Sequence, residues 1–288
     1  MTYTAEINRL NPSCFLFLID QSGSMAESLD AGQPDAPRVP FASRRTKAQG
    51  VADAINRLLQ NLVIKCAKSD GVRDYYSVGV IGYGAQVGPA FGGPLSGTNL
   101  APIGDVANSP VRIEERTKKM DDGAGGIMEQ TVKFPIWFEP VASGGTPMCR
   151  ALQQATALLD PWVTEHATSF PPIVINITDG ESTDGDPTAA AQALKDLATS
   201  DGNLLLFNAH ISTNKATPVE FPSDEQTLPD QYAHLLFRIS SSLPDYMLEV
   251  ARQEEYVVAA DARGFVFNAD LVSVIRFLDI GTRPSNLR

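Results

Sequence analysis

The segment Asp20-Gln21-Ser22-Gly23-Ser24 offers three side-chain oxygens at i, i+2 and i+4, directly after the apolar run Phe15-Leu16-Phe17-Leu18-Ile19. In an extended strand the first and last of them would lie roughly 13 Å apart. A hard cation holds its ligands at about 2.0–2.6 Å. The segment must therefore curl if all three oxygens serve one ion, and Gly23 permits the curl. Two further loops add oxygens: Thr146 in Ser143-Gly144-Gly145-Thr146-Pro147, and Asp179 in Thr178-Asp179-Gly180-Glu181-Ser182. Together these are two carboxylates and three hydroxyls, with no His or Cys. An all-oxygen set selects Mg2+, Ca2+ or Mn2+ over zinc. Mg2+ fits best, because it readily keeps waters beside hydroxyl ligands and outer carboxylates. An ion with so few formal charges around it stays net positive, and it can accept a carboxylate from outside.

Strands and helices must bring these loops together. The runs Phe15–Ile19, Tyr76–Tyr83, Ile173–Thr178 and Leu204–Ile211 are short and continuously apolar, as in strands buried on both faces. Val51, Ala54, Ile55, Leu58, Leu59 and Leu62 recur at helical spacing within a helix predicted from Thr46 to about Lys68. Further helices are expected from Pro147 to about Glu165, and at about 187–200, 244–254 and 270–279, with a short strand at 264–267. Alternating strands and helices predict an α/β, Rossmann-like three-layer sandwich. Its central sheet is mostly parallel, with helices on both faces and an antiparallel edge strand. Residues 134–138 are the candidate edge strand, because Pro135 argues against a central position. The chain reads as one domain over 1–288, with irregular insertions at about 94–133 and 212–242. Ligands of such sheets sit beyond the carboxyl ends of the strands, which points at Asp20 and Asp179.

The 288 residues carry 23 Lys and Arg against 34 Asp and Glu, a formal charge of −11. That charge disfavours nucleic acid, whose phosphates need clustered basic groups. The N-terminus has no basic region followed by an apolar stretch, and no window is apolar enough to span a bilayer, so neither a leader nor membrane insertion is expected. Cys14, Cys66 and Cys149 form no paired framework and read as free thiols in a reducing, cytoplasmic setting.

With its three segments DQSGS, SGGTP and TDGES in this order, the chain resembles a von Willebrand factor A (vWA) domain. Asp20, Ser22, Ser24, Thr146 and Asp179 fall on the positions of that family's metal-ion-dependent adhesion site. The resemblance implies that the two serines and the threonine touch the ion, that the two aspartates act through water or switch with conformation, and that an acidic residue of a partner protein completes the coordination. Within the family the chain is similar to bacterial cytosolic TerY-like proteins. Those are associated with a Ser/Thr kinase and a PP2C-type phosphatase in tellurite-resistance, stress or defence systems. Other cytosolic members partner MoxR-type AAA+ ATPases. The resemblance leaves out the stretches 94–133 and 212–242, and a zinc-binding tail found in some TerY-like proteins is missing.

Other polar groups read as structural. Ser182 and Thr183 suit helix capping, and Glu181 suits solvent. His166, His210 and His234 match no metal spacing, and Trp137 and Trp162 are expected to pack. Arg44-Arg45-Thr46-Lys47 reads as a solvated helix start with some capacity to steer an anion. Asp121-Asp122-Gly123 lacks the remaining positions of a calcium loop. A metal-dependent, phosphatase-like hydrolase is the alternative function. The second acid it would need two residues after Asp20 is Ser22 here, and no nucleophile elbow, phosphate-binding P-loop or dinucleotide fingerprint occurs. The expectation is a binding module and not an enzyme.

Overall fold

The computed structural model describes residues 3–29, 45–121, 127–212 and 217–282. Most of the loop expected over 26–45, including Arg44, lies outside the described residues, as do Asp122 and Gly123. Strand β1 (Ser13–Asp20) leads through a 3-10 turn at Gly23–Ala26 to helix α1 (Lys47–Cys66). That helix begins with a capping box. Gln49 N donates to the Thr46 hydroxyl, and Thr46 N donates to the Gln49 side chain. The small hairpin β2 (Ala67–Lys68) and β3 (Gly71–Val72) precedes β4 (Tyr76–Tyr83). Next come β5 (Val87–Pro89), β6 (Ala101–Pro102), α2 (Ile103–Asn108), β7 (Arg112–Asp121) and β8 (Ile127–Ile136). Helix α3 (Met148–Glu165), β9 (Ile173–Thr178), α4 (Thr188–Lys195), the pair β10 (Ala198–Thr199) and β11 (Gly202–Asn203), and β12 (Leu205–Ile211) continue the chain. The remainder is β13 (Val219–Glu220), α5 (Gln231–Ile239), α6 (Asp245–Gln253), β14 (Phe265–Ala269) and α7 (Leu271–Thr282).

The main sheet runs β13-β14-β12-β9-β1-β4-β5, with β6 also paired to β4. The five strands from β14 to β4 are mutually parallel. Strands β13, β5 and β6 join antiparallel at the margins, as expected of the edges. Strand side chains alternate between two cores. Phe15, Phe17, Ile19, Ile175, Ile177 and Phe207 face one core with α1, α2, α6 and α7. Leu16, Leu18, Val174, Leu206 and Phe265 face the other with α3, α4 and α5. Each fully buried side chain of this size contributes about 1.5–3 kcal/mol. The result is the α/β three-layer sandwich.

The irregular insertions need correction. Residues 94–133 hold β6, α2 and most of a ten-rung antiparallel ribbon, β7 on β8, which forms a sheet of its own. Residues 134–136 end that ribbon and do not edge the main sheet. Pro135 is tolerated because both strands of a two-stranded ribbon are edges. Buried Asn56 of α1 pins the exit of the ribbon. It accepts from Trp137 N and Phe138 N, and it donates to Phe138 O at 2.8 Å. Within 212–242, residues 213–216 lie outside the described set, but β13 and α5 are regular. The helix expected at 187–200 is shorter, ending at Lys195.

Candidate metal centre

Strands β1 and β9 are neighbours, yet α1, which follows β1, packs on one face while α4, which follows β9, packs on the other. Such a reversal is a topological switch point, where a crevice opens beyond the carboxyl ends of the strands. Asp20 is the last residue of β1, and Asp179 directly follows β9. The fold therefore delivers both acids to one crevice.

There the chain curls as the spacing requires. Ser22 N donates to Asp20 Oδ1 at 2.8 Å, closing a turn that folds Ser22 back over the strand end. The Ser22 and Ser24 hydroxyls are 2.9 Å apart, and Ser24 Oγ donates to Asp179 Oδ1 at 2.7 Å. Four of the five expected side chains thus form one connected set. The fifth, Thr146, sits against the Asp179 turn: its hydroxyl is 3.7 Å from where a Cβ on Gly180 would lie. Its main chain is tied to the same turn, with Thr146 N donating to Thr183 Oγ1 and Thr183 N to Thr146 O, both at 2.9 Å. The Thr183 hydroxyl therefore joins the two loops and does not cap a helix. Ser182 donates to Asp184, and Glu181 is exposed, as expected.

The third loop is held by close backbone contacts, tightest at Gly144. Gly23 N donates to Gly144 O at 2.9 Å, Ser143 N to Gln21 O at 2.6 Å, and Ala85 N to Ser143 O at 2.8 Å. Gly144 has φ +82°, and a Cβ there would lie 2.4 Å from Ala85 N, so glycine is required both by conformation and by space.

Three residues outside the expected set complete the site. Buried Thr178 donates to Asp20 Oδ2 at 2.7 Å, so both carboxylate oxygens of Asp20 have donors. Burial lifts the Asp20 carboxyl above its ordinary 3.8. Hydrogen bonds from Ser22 and Thr178 pull it down, neighbouring Asp179 pushes it up, and burial prevails. Lys47, read from sequence as part of a solvated cluster, is buried instead. Its Nζ lies 2.9 Å from Asp179 Oδ2 and 2.7 Å from Glu27 Oε2. Burial acts to lower the Lys47 pKa, but these two carboxylates outweigh it and the net shift is upward. The signal was present in the sequence: Lys47 falls on the stripe of Val51, Ala54, Ile55 and Leu58, which faces the core. His210 packs under the Asp179 turn, stacked on Phe267, with Nδ1 accepting from Asn268 N at 3.2 Å. Burial lowers its pKa to about 4; Asp179 opposes that shift and Lys47 adds to it. The other two histidines play structural parts, His166 stacking on Trp162 and His234 facing Glu225.

The donor set suits a hard cation. Two carboxylates and two hydroxyls are connected, with the Thr146 hydroxyl on the adjoining loop beside the Asp179 turn, where it hydrogen-bonds no other described residue. Among the described residues no group of three or more His, Cys, Asp or Glu side chains is placed to hold a metal. A cleft of about 690 Å3 opens beside the site, lined by Glu181, Asp186, Tyr232, His234 and Arg238. Tyr232 OH donates to Gly180 O, linking the cleft wall to the Asp179 turn. Among the described residues no helix is long and apolar enough to cross a membrane.

No protein-family model matches the chain, and no curated protein sequence matches it. Solved structures similar to it include the vWF domain of the type V pili tip protein Mfa5 from Porphyromonas gingivalis, at 12% identity and a TM-score of 0.30. A second is a structure of the three N-terminal domains of that protein, at 14% identity and a TM-score of 0.31. Each match covers 60% of this chain, but only 39% and 20% of the Mfa5 chains. The fold described above stands on its own strand order and register and not on these likenesses.

Proposed function

We propose that this chain is a metal-dependent protein-interaction module of the von Willebrand factor A type. Asp20, Ser22, Ser24, Thr146 and Asp179 would hold Mg2+, with Mn2+ or Ca2+ as alternatives. The bound ion would supply a positive, oxygen-seeking position for a carboxylate of a partner protein. One observation carries the reading: the strand-end loops of β1 and β9 place Asp20, Ser22, Ser24 and Asp179 in a single connected set at the switch point, with Thr146 against it. The adjoining cleft gives a partner a surface beyond the single carboxylate. A Ser/Thr kinase, a PP2C-type phosphatase or an AAA+ ATPase is the proposed partner class, in a cytoplasmic stress or defence system.

The test is affinity capture with immobilised protein in Mg2+, in EDTA, and with Asp20→Ala and Thr146→Ala, beside calorimetric titration of Mg2+ into each variant. A partner retained by wild type in Mg2+ alone, and by neither variant, supports the reading. Equal retention in every arm sinks it.

A further inference from the structure

Lys47 is an expensive residue where it stands. It is the first residue of α1, and the positive end of the helix dipole disfavours a cation there. Its side chain is only 7% exposed, so the ammonium has lost most of its water. An uncharged or acidic residue would suit the helix start better. Among the described residues the compensation comes from two carboxylates, Asp179, whose side chain is fully buried, and Glu27, whose side chain is 59% exposed.

The position of the ammonium is also built. Lys47 N donates to Glu27 O, and Leu29 N donates to Arg45 O, each at 2.9 Å. These bonds strap the segment after Ser24 to the start of α1. The cation is therefore carried by the backbone that leads out of the site loop. It meets Asp179 on Oδ2, while Ser24 holds Oδ1.

We infer that Lys47 is a tethered counter-ion of the metal site: it neutralises Asp179 while no metal is bound, and it is the cation that an incoming divalent ion must displace. The inference rests on the adhesion-site reading and goes further, because it names the residue that sets metal affinity. Glu27 has a defined part in it. A Lys47 ammonium released from Asp179 stays paired with Glu27 at the rim. Two residues that are not ligands should therefore tune the affinity in opposite directions.

The experiment titrates MgCl2 and MnCl2 calorimetrically into wild type, Lys47→Met, Lys47→Arg and Glu27→Gln. Circular dichroism checks the fold of each. Lys47→Met keeps the length and apolar stem without the charge, and it should bind at least about tenfold tighter, the scale of one charge contact removed from a partly buried site. Lys47→Arg should stay close to wild type, and Glu27→Gln should bind more weakly. Equal or weaker binding by Lys47→Met, with wild type still binding, overturns the counter-ion role and leaves the adhesion-site reading standing. If no variant takes up either metal, the adhesion-site reading falls. A thermal-denaturation cycle of Lys47→Met and Asp179→Asn in EDTA then judges the neutralising role separately. Coupling between the two sites upholds that role, and additivity overturns it.

Discussion

Asp20→Asn is expected to stabilise the metal-free protein at pH 7 while abolishing its response to Mg2+. The Asp20 side chain is buried, at 1% exposure, and burial is the chief cause of its raised pKa. A carboxyl whose folded pKa is raised favours folding at low pH and loses that contribution as pH rises through the folded value. Once ionised, the group is therefore a net cost to the fold. The amide has the same shape, and its oxygen still accepts from Ser22 N. Thr178 Oγ1 lies 3.0 Å from Gly180 O, so it can turn its proton there and accept from the new amide. Each charge-assisted bond that becomes neutral gives up about 1 kcal/mol, against several kcal/mol for each desolvated ion. The balance is a gain of about 1–2 kcal/mol, or about 2–3 °C in Tm for a chain of this size. Mg2+ at a hundred times its Kd stabilises wild type by about 2.7 kcal/mol and leaves the variant unmoved, so the order reverses. Scanning calorimetry of both proteins in EDTA and in Mg2+, at neutral pH and at a pH low enough to protonate Asp20, reads all of this. The gap in EDTA should close at the acid end. A variant less stable than wild type in EDTA at pH 7 refutes the buried-charge reasoning, and an order that Mg2+ fails to reverse refutes the ligand role of Asp20.

Gly144→Ala should cost about 2 kcal/mol or more in urea denaturation and weaken Mg2+ binding, because φ +82° and the Ala85 backbone both oppose a Cβ; unchanged values would show that the loop gives way. Asn208→Leu should cost about 1–3 kcal/mol, since it takes the acceptor from the Asn176 amide and a donor from the Ser240 hydroxyl in a buried chain that runs from Tyr83 across β9 and β12; a stability loss confined to a few tenths of a kcal/mol would contradict this. His210, with its pKa lowered to about 4 from 6.5, contributes stability that is complete above 6.5 and is lost as pH falls through the folded value. Up to roughly 3 kcal/mol should disappear across that window, and His210→Asn should flatten this part of a pH–stability profile; parallel profiles would remove His210 as the cause.

The sheet core was legible because its strands are buried on both faces and need no alternation: β4 and β9 stand on the residues expected, and β1 and β12 within a few. The ribbon was illegible for the opposite reason. Arg112, Glu114 and Arg116 recur along one face of β7, where ion pairs replace apolar contacts, and such a strand reads as a charged loop. Helix α5 was hidden among prolines that bracket it: Pro229 precedes its Asp230 cap, and Pro244 stands beyond its end. Asp20, Ser22 and Ser24 are legible from their spacing after an apolar strand, Thr146 and Asp179 from their strand-end loops, and the family resemblance joins the five. Lys47 looks solvated beside its basic neighbours in sequence, and only its place on the helical stripe marks it as buried.

That buried lysine also bears on what the site can attract. By formal charge Asp20 and Asp179 bring two negative charges to the crevice, and Lys47 offsets one of them while itself paired with Glu27. Without metal, the cluster of all four groups is net negative by two, and a partner's carboxylate meets repulsion there. A divalent ion brings the cluster to neutrality. Counted without the rim residue Glu27, the inner groups Asp20, Asp179 and Lys47 with the ion are net positive by one. On a chain of net charge −11, a local centre of that sign distinguishes an acidic partner from the surrounding surface. Metal loading would thus take the inner three groups from net negative by one to net positive by one while the whole cluster becomes neutral. Glu27→Gln should in consequence weaken metal binding while easing the approach of the partner's carboxylate, two opposed effects that capture assays at saturating and at limiting Mg2+ can separate.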